Sequence, residues 1–237
     1  MAERRGGRVV LGLDGCPVGW VAVVLRDGRV ADVRVVPRIV DALELHRPEA
    51  IAIDMPVGLV DGSRDTDAAA RALLPGRASS VFSTAPRAVV EGWRSGEVTD
   101  HAAATALSVA VTGAGLSQQA WRLVPKMAEV EQLSAEGIVL TEVHPELAFA
   151  TIVGAPLPRK RSWPGLMQRR ETLQALGVEL PTRFDGDTDA APDDVVDAAV
   201  CAWVADGLTS GAVTRRVPER TDQRAHGRPI VITVREV

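Results

Sequence analysis

The chain has 237 residues, of which 46% are hydrophobic, and it carries a net charge of -4. A chain of this length and composition can bury the core of one large domain, and no run of about 18 apolar residues indicates a membrane span. The negative charge argues against a broad surface that coats nucleic acid, although it is compatible with a local basic groove. The polar start, Met1 to Arg8, lacks the apolar segment of a secretory signal. We therefore expect a cytoplasmic protein in which Cys16 and Cys201 are reduced core thiols.

The first 54 residues predict an antiparallel meander followed by a helix and a fourth strand. Apolar runs separated by tight turns form the meander, and Asp27-Gly28 is a strong two-residue hairpin signal. The fourth run is short and apolar, which is typical of a strand buried on both faces. The predicted elements are strands Arg8–Asp14, Val18–Leu25, Arg29–Val36 and Ala50–Asp54, a turn at Gly15-Cys16-Pro17, and a helix over Pro37–Arg47. The first and fourth strands thus each end in an aspartate.

Residues 61–135 predict a helical insertion, after which the chain returns to the sheet. Helical spacing, with Gly and Pro as breaks, sets the predicted boundaries. The insertion is expected to contain helices at Asp67–Leu74, Thr99–Thr112, Leu116–Val124 and Pro125–Ala135, with a polar loop over Ala78–Arg87. The remainder is expected to contain a strand over Ile138–His144, a helix over Leu166–Leu176, a polar loop over 181–192, a helix that begins at Pro192, and an edge strand over Ile230–Val234. One α/β domain that spans residues 1–237 is the simplest organisation.

The helix that begins at Pro192 carries acids at its start and is almost wholly apolar afterwards. The helix dipole favours acids in a first turn, and this accounts for Asp193 and Asp194. Asp197 lies further in, and a charge among apolar residues must be paired or bind a metal. Because residues three apart share a helix face, we expect Asp194 and Asp197 to point the same way.

Acids at strand ends and on this late helix are candidate ligands of one metal site. Sites form at the carboxyl edge of an α/β sheet, and several carboxylates that converge there repel one another unless cations lie among them. Oxygen ligands of this kind suit Mg2+ or Mn2+, and two such ions about 4 Å apart can support phosphodiester hydrolysis. Turn-forming or helix-capping aspartates are the structural alternative. The candidate ligands of this two-ion site are Asp14, Asp54, Glu142, Asp194 and Asp197.

Five ordered motifs span nearly the whole chain: Gly12–Trp20, Ile53–Leu59, Ser79–Phe82, Glu142–Glu146 and Asp193–Ala198. Together they resemble the domain of unknown function family 429, whose members are described as predicted nucleases of ribonuclease H fold. The late Asp-x-x-Asp-Ala also resembles the RuvC-type resolvase branch of that fold. The resemblance implies a ribonuclease H-like mixed five-stranded sheet, an antiparallel meander and then parallel strands, flanked by helices. It also implies a site built from the acids of the first, second and last motifs, Asp14, Asp54, Asp194 and Asp197.

Two further groups are candidates for chemistry at such a site. Glu142 and His144 share a face of their predicted strand, which would place a general base beside a metal ligand. A salt-bridged structural histidine is the alternative. Arginines, a lysine and serines could contact phosphate, and a solvated charged loop is the alternative for the basic run. These phosphate candidates are Arg77, Ser79, Ser80, Arg159, Lys160 and Arg161.

The leading functional hypothesis from the sequence is a metal-dependent nuclease or phosphodiesterase whose substrate is a nucleic acid or a nucleotide. A second hypothesis is an actin-like ATP-binding protein, because Gly12-Leu13-Asp14-Gly15 partly resembles a phosphate loop. Such folds need two domains, for which 237 residues hardly suffice. A third hypothesis is a non-catalytic scaffold for nucleic acid or protein on the same fold. A homodimer is among the expected assemblies.

Overall fold

The computed structural model describes residues 7–183 and 190–237. The polar start Met1 to Arg8 and the loop over 181–192 therefore lie partly outside the described residues. The chain divides into two compact units. Unit 1 comprises Met1–Asp54, Val143–Arg215 and Val234–Val237, and unit 2 comprises Met55–Glu142 and Arg216–Thr233. The single-domain organisation with a helical insertion stays a prediction.

Strands dominate the start of the chain, and helices dominate the part that follows. The strands are β1 (Val9–Cys16), β2 (Gly19–Arg26), β3 (Arg29–Val36), β4 (Ala50–Asp54), β5 (Thr141–Glu142), β6 (Thr214–Val217), β7 (Arg224–Ala225), β8 (Arg228–Pro229) and β9 (Ile232–Arg235). The helices are α1 (Ile39–His46), α2 (Asp65–Ala72), α3 (Arg87–Ser95), α4 (His101–Thr112), α5 (Gln118–Ala135), α6 (Pro145–Val153), α7 (Trp163–Ala175) and α8 (Pro192–Ser210). A short 3-10 helix covers Ala78–Ser80.

The meander of β1, β2 and β3 is confirmed, with one shift in its first turn. β1 runs antiparallel to β2 from the pair Val9–Arg26 to the pair Cys16–Gly19, so the strand includes Gly15 and Cys16, the first two residues of the predicted turn. The reversal instead occurs between Cys16 and Gly19, because backbone pairing persists to the end of the apolar run. Asp27 and Gly28 both have positive φ, as a two-residue hairpin turn requires.

The five-stranded sheet has the mixed topology expected from the sequence. Its strand order is β3-β2-β1-β4-β5, so β1 is central and β4 lies beside it. β4 is parallel to β1, in a register that pairs Leu13 with Ile53 and Asp14 with Asp54. Helices flank the sheet, and the α/β fold class is confirmed. Because parallel strands end at the same edge, this register places two aspartates side by side.

Helix α8 lies at the centre of the core of unit 1. Every residue from Val195 to Gly207 is buried, which includes two aspartates in an otherwise apolar or small-residue stretch. The helix packs with β1, β2 and β4. Cys16 and Cys201 are buried free thiols, as predicted. A helix buried on all faces carries any charged side chain into the interior, so its acids need partners there.

Unit 2 contains helices α2 to α5 and the hairpin of β7 and β8. The predicted break at Pro125 is wrong, because α5 continues through this residue from Gln118 to Ala135. Proline in a helix interior removes one hydrogen bond and costs about 3 kcal/mol. The helix persists because tertiary packing on both sides of the proline outweighs this cost: Ala120 and Val124 before it and Met127 and Ala128 after it are buried.

Other differences concern the lengths of elements. The predicted strand over Ile138–His144 is reduced to Thr141–Glu142, and the edge strand over Ile230–Val234 begins two residues later, as β9. Helices α3 and α6 were not predicted, since each is short and has a proline at its start: Pro86 is the N-cap of α3 and Pro145 is the first residue of α6. Within the described residues, no helix combines the length and the apolar character needed to cross a membrane.

Candidate metal centre

Two strand ends supply the first two acids of the centre. Asp14 lies on β1 and is 6% exposed, and Asp54 is the last residue of β4. The parallel register pairs their backbones directly. Asp14 is carried by a strand whose other residues are almost all buried, so its carboxylate is fixed by the sheet. The predicted convergence of the first and fourth strands on one edge is therefore seen in the structure.

Helix α8 brings the third acid, Asp197, against these strands. The close packing of helix and strand depends on Gly12 of β1: a Cβ atom at this position would lie 2.1 Å from the Ala198 carbonyl oxygen and the Ala202 nitrogen. A contact this short with backbone atoms cannot be relieved by a side-chain rotation. Gly12 therefore permits the approach that brings a helical aspartate to the edge where β1 and β4 end.

The three acids form a compact group of oxygen ligands. Among the residues that the structure describes, one carboxylate oxygen from each of Asp14, Asp54 and Asp197 lies within 4.8 Å of the other two. Asp197 is 2% exposed, and its Oδ1 has no hydrogen-bond partner in the described part of the chain. A buried carboxylate oxygen that lacks a partner is costly. This oxygen is therefore a free acceptor, and a bound cation could satisfy it.

The electrostatics of the group reflect its burial and its like charges. Burial raises the pKa of Asp14 well above its usual range, and the carboxylates of Asp54 and Asp197 raise it further. Burial likewise raises the pKa of Asp197 to about 7, against the opposing effect of Lys160. Carboxylates with raised pKa values at a strand edge are typical of functional sites. In the absence of a cation, this group holds protons that an ordinary aspartate would lose.

Lys160 is the basic residue of the centre. Its Nζ donates to Asp197 Oδ2 and lies 3.8 Å from Asp193 Oδ2. Burial disfavours the ammonium, but the carboxylates of Asp197, Asp54 and Asp14 outweigh this effect and raise the pKa of Lys160. The sequence predicted Lys160 as a phosphate contact on a basic loop. Its direct pairing with an acid of the centre could not be inferred from a run of three basic residues.

The two acids in the first turn of α8 differ in their roles. Asp193 is buried and accepts from Arg161 Nε at 3.2 Å, and it lies near Lys160. Asp194 is half-buried, and burial together with Asp193 raises its pKa. Of the described acids, the 4.8 Å group includes neither of them. Residues four apart on a helix share a face as well as residues three apart do. The spacing of Asp193 and Asp197 therefore indicates a shared face as strongly as the spacing of Asp194 and Asp197 does.

Glu142 forms a separate, ion-paired group within unit 2. Its Oε1 accepts from Arg64 Nη1 at 3.1 Å, and its Oε2 accepts from Arg64 Nη2 and from the Val57 N–H. Arg64 also contacts Asp67, and both of these residues are buried. Burial raises the pKa of Glu142, although Arg64 opposes the shift. The contacts of Glu142 are those of a structural ion pair.

His144 and Glu146 have structural partners in unit 1. β5 ends at Glu142, so the strand face that Glu142 and His144 were expected to share is not formed. His144 is the N-cap of α6, and its Nδ1 accepts from the Leu147 N–H at 3.3 Å. Glu146 accepts two hydrogen bonds of 2.8 Å from Arg169, whose side chain is 1% exposed. This pair was not identified from the sequence.

The remaining phosphate candidates lie on surface segments of the two units. In unit 2, Ser79 is exposed on the 3-10 helix, and both the N–H and the hydroxyl of Ser80 donate to the Arg77 carbonyl. In unit 1, the side chain of Arg161 is 84% exposed, although its Nε pairs with Asp193. Arg159 is also exposed. Phosphate binding by these residues stays a prediction.

Comparison with known proteins gives one result. The sequence model of a family described as "Protein of unknown function (DUF429)" matches residues 12–222. The matched region includes Asp14, Asp54, Lys160 and Asp197. No curated protein and no solved structure matches the chain.

Proposed function

We propose that this chain, which belongs to the DUF429 family of proteins of unknown function, is a phosphodiester hydrolase that depends on a divalent cation. The observation that carries the proposal is the group of Asp14, Asp54 and Asp197, with ligand atoms within 4.8 Å of one another. Asp54 raises the pKa of both Asp14 and Asp197, and Asp197 raises the pKa of Asp14, so the ionised acids repel one another unless a cation lies among them. Binding a cation is the function that this arrangement supports best.

The donor set fits a hard divalent cation. All three candidate ligands are carboxylates, which Mg2+ and Mn2+ prefer and which are less suited to zinc in the absence of His or Cys ligands. The Oδ1 of Asp197, which has no hydrogen-bond partner among the described residues, would gain a ligand bond. When bound, such an ion polarises a phosphoryl oxygen and makes a water molecule more acidic. These two effects are what hydrolysis of a phosphodiester requires.

The chain's own residues would hold and orient the reacting groups. β1 and β4 fix Asp14 and Asp54 side by side, and α8 presents Asp197 from another element. Lys160 holds Oδ2 of Asp197 through its ammonium, which leaves Oδ1 available. Rigid strands and a buried helix keep such a constellation in place better than loops do.

A nucleic acid or a nucleotide is the proposed substrate class. Arg159 and Arg161 flank Lys160 in sequence and are exposed, so they can reach a phosphate near the carboxylates. The net charge of -4 favours a short strand, an end or a small nucleotide over a long duplex, which requires many cationic contacts. The proposal therefore concerns local phosphate recognition beside the acid group.

The test is hydrolysis by the purified, metal-free chain after addition of Mn2+ or Mg2+. The panel comprises bis(4-nitrophenyl) phosphate, single-stranded and double-stranded DNA, RNA, and a cyclic dinucleotide. We expect turnover of at least one substrate, lost in Asp14→Asn and retained in Asp27→Asn. Asp27 is a matched control, because it lies in the β2–β3 turn with a positive φ that Asn adopts readily.

The outcomes separate the alternatives. Equal activity of the parent and Asp14→Asn would refute the proposed site. Binding of Mn2+ without hydrolysis of any substrate in the panel would favour the scaffold hypothesis. Failure to bind Mn2+ would refute the metal centre itself.

A further inference from the structure

Lys160 places a positive charge inside the acid group. Its ammonium contacts Asp197 Oδ2, and the charges of Asp54 and Asp14 also act on it. Its side chain is 31% exposed, whereas that of Asp197 is 2% exposed. The lysine thus enters from the solvent side and ends at the most deeply buried acid. A cationic side chain at this position competes for the space and the charge that a metal ion would use.

Asp197 divides its two oxygens between different partners. Oδ2 accepts from Lys160, and Oδ1 is buried without a hydrogen-bond partner in the described residues. One carboxylate therefore has one oxygen committed to an ammonium and one oxygen available. A two-ion site needs carboxylate oxygens for both ions, and here one of these oxygens is already occupied by Lys160.

The charges of the group match one divalent ion. Asp14, Asp54 and Asp197 carry three negative charges when ionised, and one ammonium with one divalent ion carries three positive charges. Asp193 pairs with Arg161 at 3.2 Å, which is closer than its 3.8 Å distance to Lys160. A second divalent ion would leave a surplus of two positive charges in a largely buried site. Such a surplus is unfavourable in a medium of low dielectric constant.

The segment that carries Lys160 is fixed by a set of hydrogen bonds. Nη1 of Arg169 donates to the Pro158 and Gly165 carbonyls at 2.8 and 2.9 Å, and Nη2 of the same residue donates to Glu146. The N–H and the hydroxyl of Ser162 both donate to the Arg159 carbonyl. These contacts lie on both sides of Lys160 in the sequence. Its ammonium is therefore held by the fold and is not the end of a free surface chain.

A glycine in helix α7 allows this segment to pack closely against the helix. A Cβ atom on Gly165 would lie 2.1 Å from the Arg159 carbonyl oxygen, so the backbone beside Lys160 lies directly against the first turn of the helix. Ser162 caps this turn by accepting from the Gly165 N–H. The local sequence thus specifies a tight turn that aims the lysine at the acids.

From these contacts we propose that Lys160 is the second cation of the centre, so that the acid group takes one Mg2+ or Mn2+ ion and not two. The inference rests on the proposed function, since it assumes that the acids bind a divalent ion. It replaces the two-ion arrangement expected from the carboxylates alone. The lysine supplies a fixed positive charge that is present before the ion binds.

The test is the number of Mn2+ ions bound by the metal-free full chain, measured by calorimetry and by electron paramagnetic resonance. We expect one ion in the parent, with the spectrum of an isolated Mn2+. Lys160→Met leaves a residual negative charge and frees Asp197 Oδ2, so we expect two ions with a spin-coupled spectrum. Its first ion should bind at least about tenfold more tightly, because a neighbouring positive charge is gone.

Two controls keep the result interpretable. Lys126→Met removes the chain's other lysine and should behave as the parent does. Lys160→Arg keeps the positive charge and should still bind one ion. If Lys160→Met does not fold, Lys160→Gln removes the same charge with a polar side chain and should likewise bind two ions.

The inference and the proposed function fail in different ways. Two coupled ions in the parent would overturn the role of Lys160 and leave the metal centre standing. One ion in Lys160→Met, bound as tightly as in the parent, would also overturn the inference. No bound ion in the parent would refute the proposed function, and the inference with it.

Discussion

Two groups of buried acids in this chain look alike in sequence and differ in how they are compensated. In unit 2, Glu142 and Asp67 surround Arg64, and both oxygens of each acid accept hydrogen bonds. In unit 1, the ammonium of Lys160 contacts Asp197 and is acted on by the charges of Asp14 and Asp54, and one buried oxygen of Asp197 has no partner within the described residues. The first group has two acids for one base, and the second has three.

The difference shows how a structural ion cluster is distinguished from a candidate ligand cluster. A guanidinium offers five N–H donors in a fixed plane, and an ammonium offers three. Arg64 uses its two terminal nitrogens to donate to Glu142, Asp67, Thr84 and the Val57 carbonyl, whereas its Nε has no partner among the described residues. Around Lys160, the three carboxylates carry more negative charge than one ammonium can balance. One oxygen of Asp197 also has no hydrogen-bond donor among the described residues. Burial of acids alone does not separate the two cases, whereas the balance of charges and of hydrogen bonds does.

The same acid-to-amide change in each group should have opposite consequences. Asp197→Asn should reduce hydrolysis on the order of 10^3-fold, because an ion ligand is lost, and it should weaken Mn2+ binding. Glu142→Gln should bind Mn2+ as the parent does but lose about 3 kcal/mol of stability, because Arg64 keeps a buried charge with a weaker partner. Calorimetry with Mn2+ and urea unfolding measure the two effects. Loss of ion binding in Glu142→Gln would contradict the distinction.

Removal of the base from the structural cluster should be costly to the fold. Arg64→Met leaves Glu142 and Asp67 buried without a counter-charge, and we expect a loss of about 3–5 kcal/mol in the free energy of unfolding. The matched control is Arg71→Met, since Arg71 is half-buried and bonds only to neutral groups in the contacts described, the Val81 carbonyl and the Ser83 hydroxyl. It should lose about 1 kcal/mol. Similar losses in the two variants, measured by urea unfolding, would show that the ion pairs of Arg64 add no more stability than the neutral hydrogen bonds of Arg71.

The acid group in unit 1 should make the metal-free protein less stable as the pH rises. The pKa of Asp197 rises from an ordinary value of 3.8 to about 7 in the folded chain. The folded state therefore keeps a proton that the unfolded state loses, and stability falls between about pH 4 and pH 7. A rise of this size corresponds to at most about 4 kcal/mol. Asp197→Asn cannot lose a proton there.

The measurement is thermal unfolding in EDTA from pH 4 to pH 8. The variant should gain stability relative to the parent as the pH rises, and saturating Mn2+ should remove the parent's disadvantage by binding the folded state. A difference between parent and variant that stays constant over this range would contradict the assignment.

The contact between β1 and α8 should tolerate no added carbon atom. Gly12→Ala places Cβ against backbone atoms of α8, and we expect a loss of about 1–3 kcal/mol together with weaker Mn2+ binding, because strand and helix must separate. Gly62→Ala is the control, since a Cβ there meets no atom within 4 Å. Unchanged ion affinity in Gly12→Ala, measured by calorimetry, would mean that the close approach does not position Asp197.

Much of the sheet and all three members of the acid group follow from the sequence. Apolar runs and the Asp27-Gly28 turn predict β1 to β3, and the aspartates that end two apolar runs predict the pairing of Asp14 with Asp54. Asp197 is identified because its charge conflicts with the apolar helix around it. Each of these features lies within a short segment, so the periodicity of apolar residues along the sequence predicts it.

The partners of the acids could not be predicted in the same way. Lys160 reaches Asp197 across 37 positions, and Arg64 reaches Glu142 across 78. Neither pairing has a periodic signature, and a basic run or a lone arginine reads as a solvated surface. The assignment of Glu142 as a ligand failed to anticipate its pairing with Arg64, because an acid near a strand end can be either a ligand or a member of an ion pair. Only the tertiary contacts distinguish these roles.

The burial of α8 has a consequence for how an ion would bind. The helix is also anchored near its end, where Asp206 pairs with Arg8 at 2.7 Å and with Arg235 at 3.2 Å. Its amide hydrogens should therefore exchange with deuterated solvent through global opening and not through local fraying. An ion arriving at Asp197 would find this ligand already ordered. Its binding should accordingly bury little apolar surface and change the heat capacity very little.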